Sequence, residues 1–359
     1  MYSNGINNGT DSPLVSIICI TYNHESYIRN CLDGFINQIT NFNIEILIHD
    51  DASLDNTVNI IKEYEQKYPG IIKPIYQIEN QFSKIGYQFI ENLIFSRAKS
   101  KYIAFCEGDD YWIDPLKLQK QVDFLEANND YGLVFSDINF FFESENKIIN
   151  KVFQTKYYPL YFSFEEHVEN AGYLAPCTWL IRSNVMSKKE LYATDWTFIT
   201  MLDIMLNSKI YYLPEVTAVY RYRSGSASKQ KEIKKKYKYF KGIFETRIHY
   251  CKLHLPNDKL ENKLRKKGYI NLFFLAFYNK DWAFIKEALL FFYKNRFINN
   301  QNEFNKVQIL YFYFIGLIKM TRYLFVGFCK ISTRRILILL KFNNNTIAKV
   351  DKMFRRFLK

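Results

Sequence analysis

Glu107, Asp109 and Asp110 stand within four positions around Gly108, directly after the apolar run Tyr102 to Cys106. Carboxylates this close repel one another and need a counter-charge. A divalent cation is the simplest one. Hard oxygen ligands suit Mg2+ or Mn2+, which bind through one or two carboxylates and complete their shell with phosphate oxygens and water. An apolar run bounded by charge reads as a strand buried on both faces, and ligands of open α/β sheets bind at the carboxyl ends of strands. The same residues also suit a solvated turn before a helix beginning at Asp114-Pro115, so the other acidic groups decide between the two.

Those groups require elements to position them. Leu14 to Ile20 reads as a β-rich strand that runs into the polar turn Thr21-Tyr22-Asn23-His24. A helix from about Ser26 to Gln38 follows, with Tyr27, Cys31, Leu32 and Phe35 on one face. Ile44 to Ile48 is a second strand ending in His49-Asp50-Asp51, and Asp55-Asn56-Thr57 opens a helix to about Lys67. A strand at Ile71 to Tyr76, a helix at Ile85 to Ala98 and the strand Tyr102 to Cys106 complete four strand–helix units. This alternation predicts a parallel sheet with right-handed crossovers. The first turn lacks the Gly-x-Gly-x-x-Gly run of a dinucleotide fold, and no Gly-Lys-Ser/Thr phosphate loop is present.

Further on, the pattern predicts a helix over Pro115 to Ala127 and strands at Leu133 to Asp137 and Pro176 to Arg182, with residues 140–170 aromatic and irregular. Asp195 opens a helix to Leu206, and two short strands, Ile210 to Leu213 and Val216 to Tyr222, flank Pro214. A third acidic site thus stands at Asp195, with Asp203 as its rival within the same helix.

The charge divides the chain. Residues 1–225 carry 19 Lys+Arg against 28 Asp+Glu, and residues 226–359 carry 30 against 8, which together give the net +13. Opposite signs imply two different tasks. The second part reads as mainly helical. It opens with seven lysines between Lys229 and Lys241 and carries Lys319, Arg322, Lys330, Arg334 and Arg335 among apolar residues in 307–341. No apolar run reaches the roughly eighteen residues of a spanning helix. Greasy helices with a basic side suit an anionic membrane surface, and an ordinary helical subdomain with a solvated basic face is the plainer alternative. No nucleic-acid motif accompanies the charge, so no nucleic-acid partner is expected. Six cysteines scattered without Cys-x-x-Cys spacing read as reduced thiols. The flexible first twelve residues resemble neither signal peptide nor anchor. Together these predict a cytoplasmic protein, peripheral at the inner face of the membrane.

Combined, the motifs resemble those of the family 2 glycosyltransferases, inverting enzymes of the GT-A fold that use nucleotide-sugar donors. The pieces are Val15-Ser16-Ile17-Ile18-Cys19-Ile20-Thr21-Tyr22-Asn23, His49-Asp50-Asp51-Ala52-Ser53-Leu54-Asp55-Asn56-Thr57, Glu107-Gly108-Asp109-Asp110-Tyr111-Trp112, and Asp195-Trp196 through Tyr212-Leu213-Pro214-Glu215-Val216 to Tyr220-Arg221. The resemblance spans about residues 13–225. It implies a Rossmann-like, mixed, mostly parallel sheet sandwiched by helices over 13–225, followed by the basic helical region 226–359. Thr21, Tyr22, Asn23 and Asp50 would line the nucleotide pocket, with Asp51 accepting from the base, a uracil in the favoured UDP-linked donor. Asp109 would hold the sugar or ribose and share with Asp110 the Mn2+ or Mg2+ that bridges the diphosphate, while Asp195 would be the general base. The acceptor would be a hydroxyl of a glycan or lipid-linked glycan in bacterial surface polysaccharide assembly.

Each residue also has a plain structural alternative: Asp51 and Asp195 as helix caps, Thr21 to Asn23 as a polar turn. The family often carries a His near the domain end where this chain has Arg221-Tyr222-Arg223, so Arg223 is expected to contact the diphosphate instead. A metal-dependent nucleotidyltransferase or phosphohydrolase, and a non-catalytic membrane adaptor that keeps the fold, are the alternatives of other classes.

Overall fold

The computed structural model describes residues 12–86, 88–170, 175–186, 195–223 and 232–297. The expected membrane-facing stretch 307–341 lies outside them. The described residues divide into two units between Asn279 and Lys280.

The first strands fold as their composition dictates. β1 (Val15–Thr21) and β2 (Ile44–Asp50) are Ile-rich and almost wholly buried, as strands covered on both faces must be. They alternate with α1 (Ile28–Ile36) and α2 (Thr57–Lys67), and β3 (Ile72–Tyr76) follows. The helix expected over 85–98 is α4 (Gln88–Arg97), and a short α3 (Gln81–Ile85) that the pattern did not show precedes it, ending at Gly86, whose φ is +58°. That left-handed backbone is readily adopted only by glycine and ends α3. Next come β4 (Tyr102–Glu107), the short β5 (Tyr111–Trp112) and α5 (Lys117–Ala127).

The second half supplies the antiparallel pairings. It holds β6 (Tyr131–Phe142), β7 (Lys147–Ile149), α6 (Phe164–Asn170), β8 (Leu180–Arg182), α7 (Trp196–Asn207) and β9 (Lys209–Tyr222). The nine strands form one mixed sheet of order β3-β2-β1-β4-β8-β6-β9-β5, with β7 beside β6. Parallel pairing joins β3, β2, β1 and β4, and again β6 and β9. The two strands expected around Pro214 are one. Pro214 cannot donate to the ladder, and the register slips from Ser136↔Leu213 to Asp137↔Val216, a bulge that absorbs it. Residues 140–170 contain no long element because their aromatic rings pack as a cluster: Phe142 stacks on Tyr222 at 4.6 Å, and Phe140 meets Tyr157, Tyr158 and Tyr220 edge-on.

Gly34 shows how tightly α1 is seated. A methyl group there would lie 2.8 Å from the Trp112 carbonyl oxygen and 3.0 Å from its amide nitrogen. Backbone cannot step aside as a side-chain tip can, so Gly34→Ala is expected to cost about 1–3 kcal/mol. Denaturant unfolding checks this, and a midpoint equal to that of the wild type would refute the tight seating.

The helices after 225 divide between the two units. α8 (Ile233–His254) and α9 (Asp258–Tyr278) belong to the first, whereas α10 (Trp282–Phe297) lies in the second. The compact unit thus extends well past the boundary expected at 225. Its lysines mark only the outer side of α8; Tyr237, Phe244, Ile248 and Cys251 are buried. Among the described residues no helix is long and apolar enough to cross a membrane.

Candidate active site

Parallel pairing aligns three strand ends. β1 lies between β2 and β4 in a register that sets Thr21 beside Asp50 and Ile20 beside Glu107. The chain therefore leaves the sheet three times along one edge, each time through polar residues.

The first two turns hold each other. Asn23 adopts φ +55°, a left-handed conformation that asparagine tolerates. Its N–H donates to Ser53 Oγ at 2.9 Å, and its Oδ1 accepts from the Leu54 N–H at 2.8 Å. Asp50 shapes its own turn, accepting from the Ser53 N–H and Oγ at 3.0 and 2.6 Å. Asp51 accepts from the N–H groups of Gln81 and Phe82 at 2.6 and 3.1 Å and so ties the start of α3 to the end of β2. Tyr22 is 40% exposed beside them. The third turn rests on the first. A Cβ on Gly108 would lie 2.8 Å from Thr21 Oγ1 and 2.9 Å from His24 Nδ1, so this approach requires glycine.

At the acidic turn, two arginines supply positive charge. Asp109 Oδ2 accepts from Arg223 Nε at 2.6 Å, and the Asp109 carbonyl accepts from Arg221 Nε at 3.0 Å. Arg223 Nη2 also lies 2.6 Å from His24 Nε2. Arginine has no acceptor, so we assign Nε2 as the unprotonated nitrogen of His24. Burial, outweighing the pull of Asp109, lowers the pKa of this ring to about 4, and the imidazole is neutral at pH 7. Asp110 is 3% exposed and its Oδ1 accepts from the Arg221 N–H at 2.9 Å. Burial first, then Asp109 and Glu107, push its carboxyl well above the usual range. Glu107 is reached by solvent yet closely flanked by protein. Desolvation, followed by the charge of Asp109, raises it to about 7.

Asp195 caps α7. Its Oδ1 accepts from the Phe198 N–H at 3.1 Å and Thr197 Oγ1 at 2.6 Å, and its Oδ2 accepts from Tyr239 OH at 2.6 Å. The neighbouring Trp196 packs on Phe105 of β4 with ring centroids 5.2 Å apart, and the charge of Asp195 contributes to the raised pKa of Glu107. Asp203 instead accepts from Tyr250 OH at 2.5 Å and ties α7 to α8.

Residues 16–188 match the family model described as "Glycosyl transferase family 2". Residues 16–188 are a family 2 glycosyltransferase domain. An uncharacterized protein of Mycobacterium tuberculosis is 44% identical over 133 residues, 37% of this chain and 37% of that one. An Escherichia coli UDP-Glc:alpha-D-GlcNAc-diphosphoundecaprenol beta-1,3-glucosyltransferase is 35% identical over 132 residues, 37% of this chain and 48% of that protein. The chain thus spans well under two thirds of these relatives. Among solved structures, Staphylococcus aureus TarS in complex with UDP-GlcNAc superposes with TM-score 0.50 at 19% identity, covering 77% of this chain and 79% of that one. The Pyrobaculum calidifontis mannosyltransferase in complex with GDP-Man and Mn2+ does so with TM-score 0.50 at 16% identity, covering 88% and 83%. Both support the GT-A fold.

The first unit gathers Thr21, Tyr22, Asn23, Asp50, Asp51, Asp109 and Asp110 at the three strand ends of the glycosyltransferase domain, with Arg223 bonded to Asp109 and the charge of Asp195 felt at Glu107. The sequence reading passed over His24, Arg221 and Tyr239. His24 adjoins the turn already singled out, and Arg221 stands in the Arg-Tyr-Arg segment, but nothing in the local pattern marks Tyr239. Among the described residues no three His, Cys, Asp or Glu side chains form a ready-made metal cage. Asp109 Oδ1 nevertheless accepts no hydrogen bond among the described residues, and Glu107 lies two residues away with solvent access. This donor set suits a cation completed by phosphate oxygens rather than one caged by protein alone.

Proposed function

We propose that this protein transfers a sugar from a nucleoside-diphosphate donor, UDP-linked in preference to GDP- or dTDP-linked, to a hydroxyl of a glycan or lipid-linked glycan, inverting the anomeric configuration. The observation that carries this reading is the parallel register that brings Thr21, Asp50 and the Glu107–Asp110 turn to one edge, with a carboxylate of α7 facing them.

The turns of Thr21–Asn23 and Asp50–Asp51 would bind the nucleoside, and Arg223 would turn from Asp109 toward the diphosphate. Asp109, with Glu107 or Asp110, would hold Mn2+ or Mg2+. Such an ion neutralises charge on the departing diphosphate. Asp195 would accept the proton of the acceptor hydroxyl as that oxygen attacks the anomeric carbon. The nucleotides named for TarS and for the E. coli relative support a UDP-linked donor, and the Mn2+ of the archaeal enzyme supports metal use. The diphosphoundecaprenol acceptor of the E. coli relative, and the charge of +22 after residue 225, support a lipid-linked acceptor reached from the cytoplasmic face of an anionic membrane in surface polysaccharide assembly.

Thermal unfolding of the full-length chain with UDP, GDP or dTDP, each with and without Mn2+, tests the reading. At 100 times its dissociation constant a ligand adds about 2.7 kcal/mol, several degrees of Tm. UDP with Mn2+ is expected to give the largest shift, and Asp109→Asn to remove it. If no nucleotide moves the transition of folded protein, the nucleotide-sugar reading fails.

A further inference from the structure

A cavity of about 560 Å3 lies within the first unit, between α6 and α7 on one side and α8 and α9 on the other. That is the size of a small-ligand site. Asp195 stands in its wall, so it adjoins the edge described above without belonging to the strand-end turns. Three observations give it a chemistry.

The first is an orphaned imidazole. His167 is 1% exposed, and among the described residues neither ring nitrogen has a hydrogen-bond partner. Its ring rests against Phe198, 5.5 Å between centroids. Burial, helped by Arg247, pulls its pKa down to about 4. The neutral ring therefore presents one donor and one acceptor, the pair that a hydroxyl satisfies. Buried polar atoms left unpaired are costly, which makes this position a place for a ligand rather than for packing.

The second is a cation without a matching anion. Arg247 lines the same cavity, its Nε buried and without a partner among the described residues, and burial lowers its pKa. Glu169, whose charge partly opposes that lowering, is itself paired with Lys263. Asp195 is occupied by Tyr239, Thr197 and the N–H of Phe198. Lys267 adds a second positive charge at the exposed edge. Third, Trp179, Phe198 and Phe244 supply aromatic wall, and such faces receive the apolar sides of sugar rings.

We propose that this cavity binds the acceptor through an acidic sugar unit, a uronic acid or a sugar phosphate, with Arg247 on the anionic group and His167 on a neighbouring hydroxyl. The assignment rests on the reading of the adjoining edge as a sugar-transfer site. Asp195 then lies in the wall that holds the acceptor, where the hydroxyl it would deprotonate must arrive.

Ligand-detected NMR titration of the full-length chain tests this with four probes: glucuronate, glucose 1-phosphate, glucose and inorganic phosphate. Both acidic sugars are expected to bind at least tenfold tighter than glucose, as one charge-assisted hydrogen bond implies, and tighter than inorganic phosphate, which offers no ring. The tighter of the two identifies the acid as carboxylate or phosphate. Arg247→Gln should remove the preference for acids by roughly tenfold while leaving the affinity for glucose and the UDP-induced thermal shift unchanged. Lys267→Gln, on the exposed edge, provides a second reading in the same direction with a smaller loss and serves where Arg247→Gln lowers Tm. Equal binding of glucose and the acidic sugars, or acid preference retained in both variants, overturns the proposal. Acidic sugars that bind to a chain no nucleotide stabilises would refute the donor reading and leave the cavity's ligand standing. A UDP shift without acid preference would refute the cavity alone.

Discussion

Asp195→Asn is expected to lower kcat by about 10²–10⁴-fold, the usual contribution of a positioned general base, while leaving nucleotide binding intact. The asparagine amide cannot take the acceptor's proton. Its carbonyl oxygen can still accept from the Phe198 N–H, and asparagine is as good a cap as aspartate, so α7 should remain folded. The contrast is what makes the experiment informative. A residue that merely capped α7 would show little loss in this variant, whereas Asp195→Ala would cost roughly 1 kcal/mol of stability in addition. Steady-state rates with a UDP-sugar, read beside the UDP thermal shift, separate the two roles. A kcat within a fewfold of wild type would remove Asp195 from the chemistry. Asp203 would not take its place simply by proximity, since it bonds Tyr250 and joins two helices.

Acid should destabilise the wild type more than His167→Gln. His167 has its folded pKa near 4, against about 6.5 when exposed, because burial and Arg247 disfavour the charged ring. Between pH 4 and 6.5 the unfolded chain therefore binds more protons than the folded one. Stability from this ring is complete above pH 6.5 and is lost as pH falls through 4. A shift of this size corresponds to about 3 kcal/mol. Glu107, raised to about 7, acts in the opposite sense, stabilising at low pH and losing that contribution as pH rises. The wild-type curve is therefore muted, and the difference between wild type and variant isolates the histidine. Tm measured from pH 7 to pH 4 should fall more steeply in wild type than in His167→Gln. Parallel curves would show that the ring is already protonated or exposed in the folded protein.

Much of the candidate site was legible because it is built from local signals repeated at strand ends. Continuous apolar runs of strand length suit an interior parallel strand buried on both faces, and each of three such runs stops at a polar turn. Parallel pairing then leaves those turns no choice but a common edge. Other features depend on residues far apart in the chain. Arg223 reaches Asp109 and His24 across 114 and 199 positions, and no periodicity encodes that meeting. The sequence reading took a divalent cation as the simplest counter-charge and assigned Arg223 to the diphosphate; that Arg221 and Arg223 meet Asp109 itself is a contact of this long-range kind. Pro214 likewise read as the gap between two strands, because a missing N–H looks the same in sequence whether the strand ends or bulges.

The sequence by itself determined the alternating strands and helices, the acidic strand ends, and the family to which residues 16–188 belong, since all of these follow from residue type at short spacing. Only the tertiary structure decided that α8 packs its aromatic side inward, places Tyr239 on Asp195 and encloses His167 and Arg247 in one cavity. Lysines dominate the sequence of that helix, but burial is set by the face that meets α6 and α7, and which face that is depends on elements whose contacts the local pattern does not contain.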